Sequence, residues 1–150
     1  MAHTFSNLLV HVIFSTKDRV ASIRPEWRAD LHAYLGGIVR EIGGTASAIN
    51  GTADHVHLLV SMPGKIAVAE LVRVLKANSS RWVNREGKVK TGFAWQTGYA
   101  AYSVSQSNAS AVARYIEAQE NHHRRVSFQE EYLEFLKKNK IECDERFIWG

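Results

Sequence analysis

The chain has 150 residues, of which 45% are hydrophobic and 23% are charged, and its formal net charge is +4. This composition is typical of one soluble globular domain spanning residues 1–150, and no apolar run approaches the length of a membrane-spanning helix. The single cysteine, Cys143, excludes an internal disulfide and a multi-thiolate zinc site. We therefore expect a cytosolic protein without a membrane partner.

The first predicted element is a buried strand. Residues Phe5–Ser15 form an apolar, β-branched run, with Val12 and Phe14 on one face and His11 and Ile13 on the other. A helix follows, with a proline in its first turn and apolar residues at helical spacing, and a pair of glycines ends it.

Two further strands are expected to form a hairpin. Residues Thr45–Asn50 form a short strand, and the pair Asn50-Gly51 is a strong turn signal. The strand that begins near Asp54 alternates apolar and polar residues, so it should return antiparallel beside its predecessor.

The rest of the chain predicts a helix, a strand and two C-terminal helices. In order, these are a helix with an apolar stripe from Val68 to Trp82, a strand at Phe93–Ser105 interrupted near Gly98, a helix from Ala109 to about His122, a helix at Phe128–Lys138, and an apolar tail at Arg146–Gly150. The order βαββαβ plus two helices predicts an α+β, ferredoxin-like (RRM-like) antiparallel sheet. Its first and third strands would be central neighbours, with both intervening helices on one face.

His55 and His57 share one face of the third strand, because successive side chains in a strand point to opposite faces. In the ferredoxin-like plan this face is open to a further helix, a partner chain or a nucleic acid. Two imidazoles at this spacing can bind one divalent metal ion, or they can simply be polar residues on the wetter face. Asp54 is expected to form a turn rather than to orient the site. His122 and His123 are expected to be exposed, with contact to phosphate or to the site as the alternative.

Basic residues are concentrated between Lys65 and Lys90. Seven lysines and arginines in this stretch are opposed only by Glu70 and Glu86. Such a cluster suits the phosphate backbone of a nucleic acid, although a solvated helix face gives the same pattern.

Four segments in order, FSTKDR, ADHVHLLV, FAWQTGYAAYSV and RYIEAQ, carry a family resemblance. The chain resembles the HUH endonucleases, in which U is a hydrophobic residue, and more narrowly the single-tyrosine transposases of the IS200/IS605 type. The resemblance implies that Tyr115 is the nucleophile and that His55, His57 and Gln119 bind Mg²⁺ or Mn²⁺. Tyr115 and Gln119 are four residues apart on a predicted helix, so they share one face of it.

The resemblance also implies a reaction and its partners. The enzyme would cleave and rejoin single-stranded DNA through a 5′-phosphotyrosine intermediate, at hairpin-forming ends of a mobile element, in the prokaryotic cytosol or on the nucleoid. It would be a homodimer, with Tyr115 serving its own subunit or the other, and the fourth strand is the candidate for association. Candidate DNA contacts are Lys17, Arg19, Arg73, Lys76, Arg81, Arg85 and Arg114.

Two other functions fit the sequence. One is a catalytically inactive or domesticated nucleic-acid-binding protein on the same fold, although the first strand lacks the exposed aromatic residues that stack bases. The other is a metal phosphodiesterase that hydrolyses its substrate, although the chain lacks a second histidine motif or a carboxylate cluster.

Overall fold

The computed structural model describes residues 3–123, 125–144, 146, 148 and 149. Within these residues the strands are β1 (Leu9–Ser15), β2 (Thr45–Gly51), β3 (His55–Ser61) and β4 (Ala100–Val104). The helices are α1 (Pro25–Glu41), α2 (Val68–Arg85), α3 (Ala109–Glu117), α4 (Gln119–His123) and α5 (Phe128–Lys138). No helix in these ranges is long and apolar enough to cross a membrane.

The four strands form one antiparallel sheet in the order β2-β3-β1-β4. β1 is central, and its register runs from Leu9 opposite Ser61 to Ser15 opposite His55 on β3. On its other side β1 pairs with β4. This order, with β1 and β3 as antiparallel neighbours, confirms the predicted ferredoxin-like plan.

α1 and α2 pack together on one face of the sheet and enclose the main core. Val12, Phe14 and Leu58 point into this core from β1 and β3, as the alternation predicted. The helices contribute Leu31, Leu35, Leu71 and Leu75, all fully buried.

The opposite face of the sheet is covered by α3, α4 and α5 of the same chain, so the prediction of an open face is wrong. Of the three expected occupants, a further helix of the chain itself is present. The physical reason is that this face is largely apolar and needs a cover. Ile116 of α3 packs on Ala48 and Leu59. Phe128, Tyr132 and Leu136 of α5 pack on Ile13, Ala100 and Tyr102.

Three predicted elements differ from the structure, two in where they begin and one in being broken. β4 begins only at Ala100, because the aromatic segment before it is irregular and forms an isolated bridge from Trp95 to Thr16 instead of a continuous strand. β1 begins at Leu9 rather than at Phe5. The helix predicted from Ala109 to His122 is broken at Ala118, which separates α3 from α4.

The C-terminal tail docks on α5, as expected for an apolar segment. The ring of Trp149 lies 5.5 Å from that of Tyr132, and Ile148 packs in the same cluster. Phe147 and Gly150, which belong to the predicted apolar tail, lie outside the described residues. The tail therefore helps to hold α5 on the sheet.

Candidate active site

β3 places His55 and His57 side by side beneath the C-terminal helices. Their ring centroids are 5.2 Å apart, and both side chains are fully buried. Phe128 of α5 stacks on His55 with a centroid distance of 4.5 Å. Both imidazoles therefore lie in a layer closed off from solvent.

Each of the two histidines has a hydrogen-bonding partner at its Nδ1 atom. His55 Nδ1 lies 2.8 Å from Asp54 Oδ1 and 3.1 Å from Thr52 Oγ1. His57 Nδ1 lies 2.8 Å from Nε2 of His11, which is also buried. Such partners fix the orientation of an imidazole and direct its Nε2 atom toward the rest of the cluster. The Asp54 carboxylate thus orients His55, a role that the sequence made secondary to turn formation.

Gln119 reaches the same cluster from the start of α4. Its Oε1 atom lies 3.2 Å from His55 Nε2, and its Nε2 atom donates to the carbonyl oxygen of Tyr115 at 3.3 Å. The side chain is fully buried. The predicted proximity of Tyr115 and Gln119 therefore holds across the break at Ala118.

Glu131 of α5 joins the histidines to the tyrosine. Its Oε1 atom lies 2.8 Å from His57 Nε2 and 3.1 Å from His123 Nε2. Its Oε2 atom accepts a short hydrogen bond from the Tyr115 hydroxyl and lies 3.1 Å from His122 Nε2. One buried carboxylate therefore faces the imidazoles with one oxygen and the phenol with the other.

Burial and these hydrogen bonds determine the protonation of the site. Burial raises the pKa of Tyr115, and the hydrogen bond to Glu131 raises it further, so the hydroxyl is a phenol here. Burial opposes ionisation of Glu131, but hydrogen bonds from His123, His57 and Tyr115 bring its pKa well below the usual range. Burial lowers the pKa of His57 to about 4 and that of His11 to about 3, so both are neutral at pH 7.

The chemistry of these donors fits a divalent cation. Nδ1 of His55 faces the Asp54 carboxylate, and Nδ1 of His123 donates to the carbonyl oxygen of Val126 at 2.7 Å. The Nε2 atom of each ring therefore points into the cluster, where it lies next to Oε1 of Gln119 or of Glu131. Imidazole nitrogens together with amide and carboxylate oxygens are ligand types that divalent cations bind.

Comparison with known proteins places the chain in a family. Residues 4–119 match the sequence profile described as "Transposase IS200 like". The chain belongs to the IS200-like transposase family. It is 28% identical over 114 residues to the ISDra2 transposase TnpA of Deinococcus radiodurans, covering 73% of this chain and 81% of that protein. It is 27% identical over 124 residues to the IS200 transposase of Salmonella typhimurium, covering 79% and 81%.

Two solved structures resemble this IS200-like transposase. One is a candidate transposase from Deinococcus radiodurans R1, with a TM-score of 0.62 and 26% identity, which covers 79% of this chain and 95% of the other. The second is a REP-associated tyrosine transposase bound to a REP hairpin, with a TM-score of 0.63. At 13% identity, over 84% of this chain and 74% of the other, it shares the fold.

Two members of the site lie beyond the family match, which ends at Gln119. His123 was expected to be exposed, yet its side chain is only 9% exposed and contacts Glu131. Glu131 was not singled out at all. One signal could have found it, because it lies three residues after Phe128 and four before Phe135. A carboxylate inside an apolar helical stripe needs a buried polar partner.

The arginines of α2 lie on the other side of the sheet from the site. Arg73, Arg81 and Arg85 are on the helix that packs against the main core, and all three are exposed. Arg73 forms a bidentate salt bridge with Glu70, with N–O distances of 2.9 and 2.6 Å. A single DNA strand that contacts both regions must therefore pass around an edge of the sheet.

Lys76 has an internal role in this transposase. Its ammonium group donates to the carbonyl oxygens of Gln96, Thr97 and Gly98 at 2.8, 3.2 and 2.6 Å. Burial lowers the pKa of Lys76 to about 8. The side chain therefore stabilises the irregular segment before β4, and a contact with DNA would have to compete with these bonds.

The other basic candidates lie nearer the site. Lys17 and Arg19 follow β1 at the end of the sheet where His55 is located, because Ser15 is opposite that histidine. Lys17 is exposed, and the Arg19 guanidinium lies 5.1 Å from the Trp149 ring centroid. Arg114 is exposed on α3, next to Tyr115 in the sequence. Their contacts with DNA remain predictions.

Proposed function

We propose that this IS200-like transposase, acting as a single domain, cleaves and rejoins single-stranded DNA through a covalent link to Tyr115. The observation that carries the proposal is the position of the Tyr115 ring, 5.9 Å from that of His57 in the same chain. The hydroxyl is hydrogen-bonded to a carboxylate that also contacts this histidine. The proximity within one chain supports assembly of the site from a single subunit.

The proposed reaction is a transesterification. The Tyr115 oxygen bonds to the scissile phosphorus while the bond from phosphorus to the 3′ oxygen breaks. The phenol proton is lost to water that enters with the DNA when α5 moves aside, and the leaving 3′ oxygen takes a proton from water. Another 3′-hydroxyl can later attack the phosphotyrosine and restore the phosphodiester without ATP. Mg²⁺ or Mn²⁺, held by His55, His57 and Gln119, would supply Lewis-acid polarisation of the phosphate.

The proposed substrate is DNA that carries a hairpin next to a single strand, as at the ends of a mobile element. The REP-associated tyrosine transposase with the same fold is bound to a REP hairpin. Exposed arginines on α2 offer a surface for phosphates, and Lys17 and Arg19 lie at the site end of the sheet. We place the hairpin on the α2 side, with the single strand reaching around the sheet to Tyr115.

A homodimer is the proposed assembly. In the part of the chain that the structure describes, β4 pairs with β1 and has no strand on its other side. An unpaired edge of this kind offers backbone groups to a second copy. Sedimentation equilibrium would measure the association, and a monomer at all concentrations would exclude it. In the cell we place this enzyme in the cytosol, on the nucleoid when bound to DNA.

The decisive experiment is a search for a covalent adduct. A pool of single-stranded oligonucleotides of random sequence, labelled at the 3′ end, is incubated with the protein and Mn²⁺ or Mg²⁺. We expect an adduct that resists denaturing electrophoresis and is lost in Tyr115→Phe, which removes one oxygen and keeps the ring. Tyr34→Phe, on the opposite side of the sheet, is the matched control and should retain the adduct.

The alternatives predict different products. A hydrolase would release the 3′ fragment with a free 5′ phosphate and would keep this activity in Tyr115→Phe. A binding protein would retain intact DNA and form no adduct. Base stacking on the open sheet of an RRM-like protein has little support here, because α3 and α5 bury the corresponding face.

A further inference from the structure

Three imidazoles and one carboxylate meet beneath α5. The potential ligand atoms of His55, His57, His123 and Glu131 all lie within 4.8 Å of one another. Two of these residues come from β3, and the other two follow residue 119, where the family match ends. Half of the cluster therefore comes from the C-terminal segment of this chain, after the part that matches the family.

We propose that these four side chains bind one Zn²⁺-class ion, and that this ion fastens α5 to the sheet. The inference rests on the metal site of the proposed function but not on its tyrosine chemistry. It assigns His123 and Glu131 to a second ligand set, which shares His55 and His57 with the catalytic set completed by Gln119. The two sets would hold different metals in different arrangements of the chain.

The distances within the cluster fit a small four-coordinate ion. Ligand atoms at about 2.0–2.1 Å from a tetrahedral centre are separated from one another by about 3.3 Å. Glu131 Oε1 lies 2.8 Å from His57 Nε2, 3.1 Å from His123 Nε2 and 3.8 Å from His55 Nε2. These three separations bracket the expected value, and the other pairs of ligand atoms are no more than 4.8 Å apart.

The donor set decides which ion is preferred. Three imidazoles and one carboxylate suit Zn²⁺, whereas Mg²⁺ takes six ligands, most of them oxygen atoms, and keeps several of its waters. A buried cluster beneath an aromatic side chain, with Glu131 at 1% exposure, leaves little room for such waters. Zinc bound by four protein ligands also has no open position for a phosphate oxygen.

The same ligands connect metal binding to the position of α5. Glu131 lies on α5, and His123 ends α4, whereas His55 and His57 lie on the sheet. An ion that needs all four binds only when α5 is docked, so by mass action it stabilises the docked state. Zinc should therefore keep α5 docked on the sheet, protect its amides from hydrogen exchange and oppose opening of the site.

The experiment uses the full chain with ZnCl₂ or MgCl₂ alone, in the background Cys143→Ser because that exposed thiol is itself a zinc ligand. Calorimetry should give one Zn²⁺ per chain, bound at least 100-fold more tightly than Mg²⁺. Glu131→Gln should weaken Zn²⁺ binding at least tenfold. Glu134→Gln, an exposed position on the same helix, is the matched control and should bind like the parent.

Hydrogen exchange gives a second readout that needs no change at Glu131. Zinc should slow the exchange of the α5 amides at least tenfold in the parent and leave them unchanged in His123→Ala. Unaltered zinc affinity in Glu131→Gln, or unchanged α5 exchange on adding zinc, would overturn the inference. Zinc binding without any DNA adduct would count against the proposed function alone, and an adduct without zinc binding would count against this inference alone.

Discussion

Asp54 shows how one residue outside the ligand set can control the site. Its carboxylate accepts a hydrogen bond from the ring nitrogen of His55 that faces away from the cluster. Burial opposes its ionisation, but the hydrogen bond from His55 lowers the pKa of Asp54 below its usual range. The carboxylate is therefore charged at neutral pH and increases the electron donation of the imidazole.

Asp54→Asn should lower metal affinity about tenfold to 100-fold, because an amide is a weaker acceptor than a carboxylate. The turn before β3 should persist, since asparagine also suits it. Calorimetric titration with Mn²⁺ measures the effect, and Asp30→Asn, at an exposed position of α1, is the control. Equal affinity in both variants would show that the orientation of His55 depends on packing alone.

At the scale of elements, the sequence predicted the strands and the first two helices well. Alternation in β1 and β3 placed the core-facing residues and the two histidines on the correct faces, because strand geometry is local. The break at Ala118 and the irregular segment before β4 were missed, since both depend on tertiary contacts. Glu131 was missed for the same reason: its partners are 74 residues away at His57 and 16 away at Tyr115.

α2 should supply the phosphate contacts of the hairpin. Replacing Arg73, Arg81 and Arg85 together by alanine should weaken DNA binding and reduce its salt dependence. Each phosphate contact that is lost reduces the number of counterions released when the DNA binds. The slope of log affinity against log salt should fall by about 0.7 to 0.9 per lost contact. A charge-matched triple replacement of Lys137, Lys138 and Lys140 is the control. An equal fall in both triples would indicate a nonspecific charge effect.

α5 should limit the rate at which DNA reaches the nucleophile. His55, His57 and Gln119 are fully buried, so a phosphate reaches them only after this helix moves. Trp149→Ala removes the ring that packs on Tyr132 and Arg19. It should therefore loosen the helix and speed adduct formation.

Initial rates of adduct formation on the labelled oligonucleotide pool would measure this effect. Phe5→Ala changes a side chain that is 93% exposed and should leave the rate unchanged. A slower rate in Trp149→Ala would mean that the docked tail supports catalysis instead.

The stability of the whole molecule should fall in acid. Burial lowers the pKa of His11 to about 3 and that of His57 to about 4, against 6.5 in the unfolded chain. Between these values and 6.5 the unfolded chain binds protons that the folded chain does not. The stabilisation is therefore complete above about pH 6.5 and is lost as the pH falls toward 4. Glu131, whose pKa is also lowered, acts in the same direction.

Urea unfolding at pH 7.5 and pH 5.0 would test this prediction. Each histidine that stays neutral in the folded state should cost about 2 kcal/mol of unfolding free energy at the lower pH. His11→Phe should reduce the difference between the free energies of unfolding at pH 7.5 and pH 5.0. A free energy of unfolding that is flat across this range would show that the buried histidines become accessible to protons without unfolding.

The division of the site at residue 119 has a consequence for how such proteins diverge. The strand histidines and Tyr115 lie inside the stretch that matches the family, whereas His123 and Glu131 lie after it. Mutations in the last 31 codons can therefore change which ion binds and how α5 covers the site. The nucleophile Tyr115 is unaffected by such mutations. Natural variation in metal dependence among relatives should map to this C-terminal segment more than to the strand that carries the histidine pair.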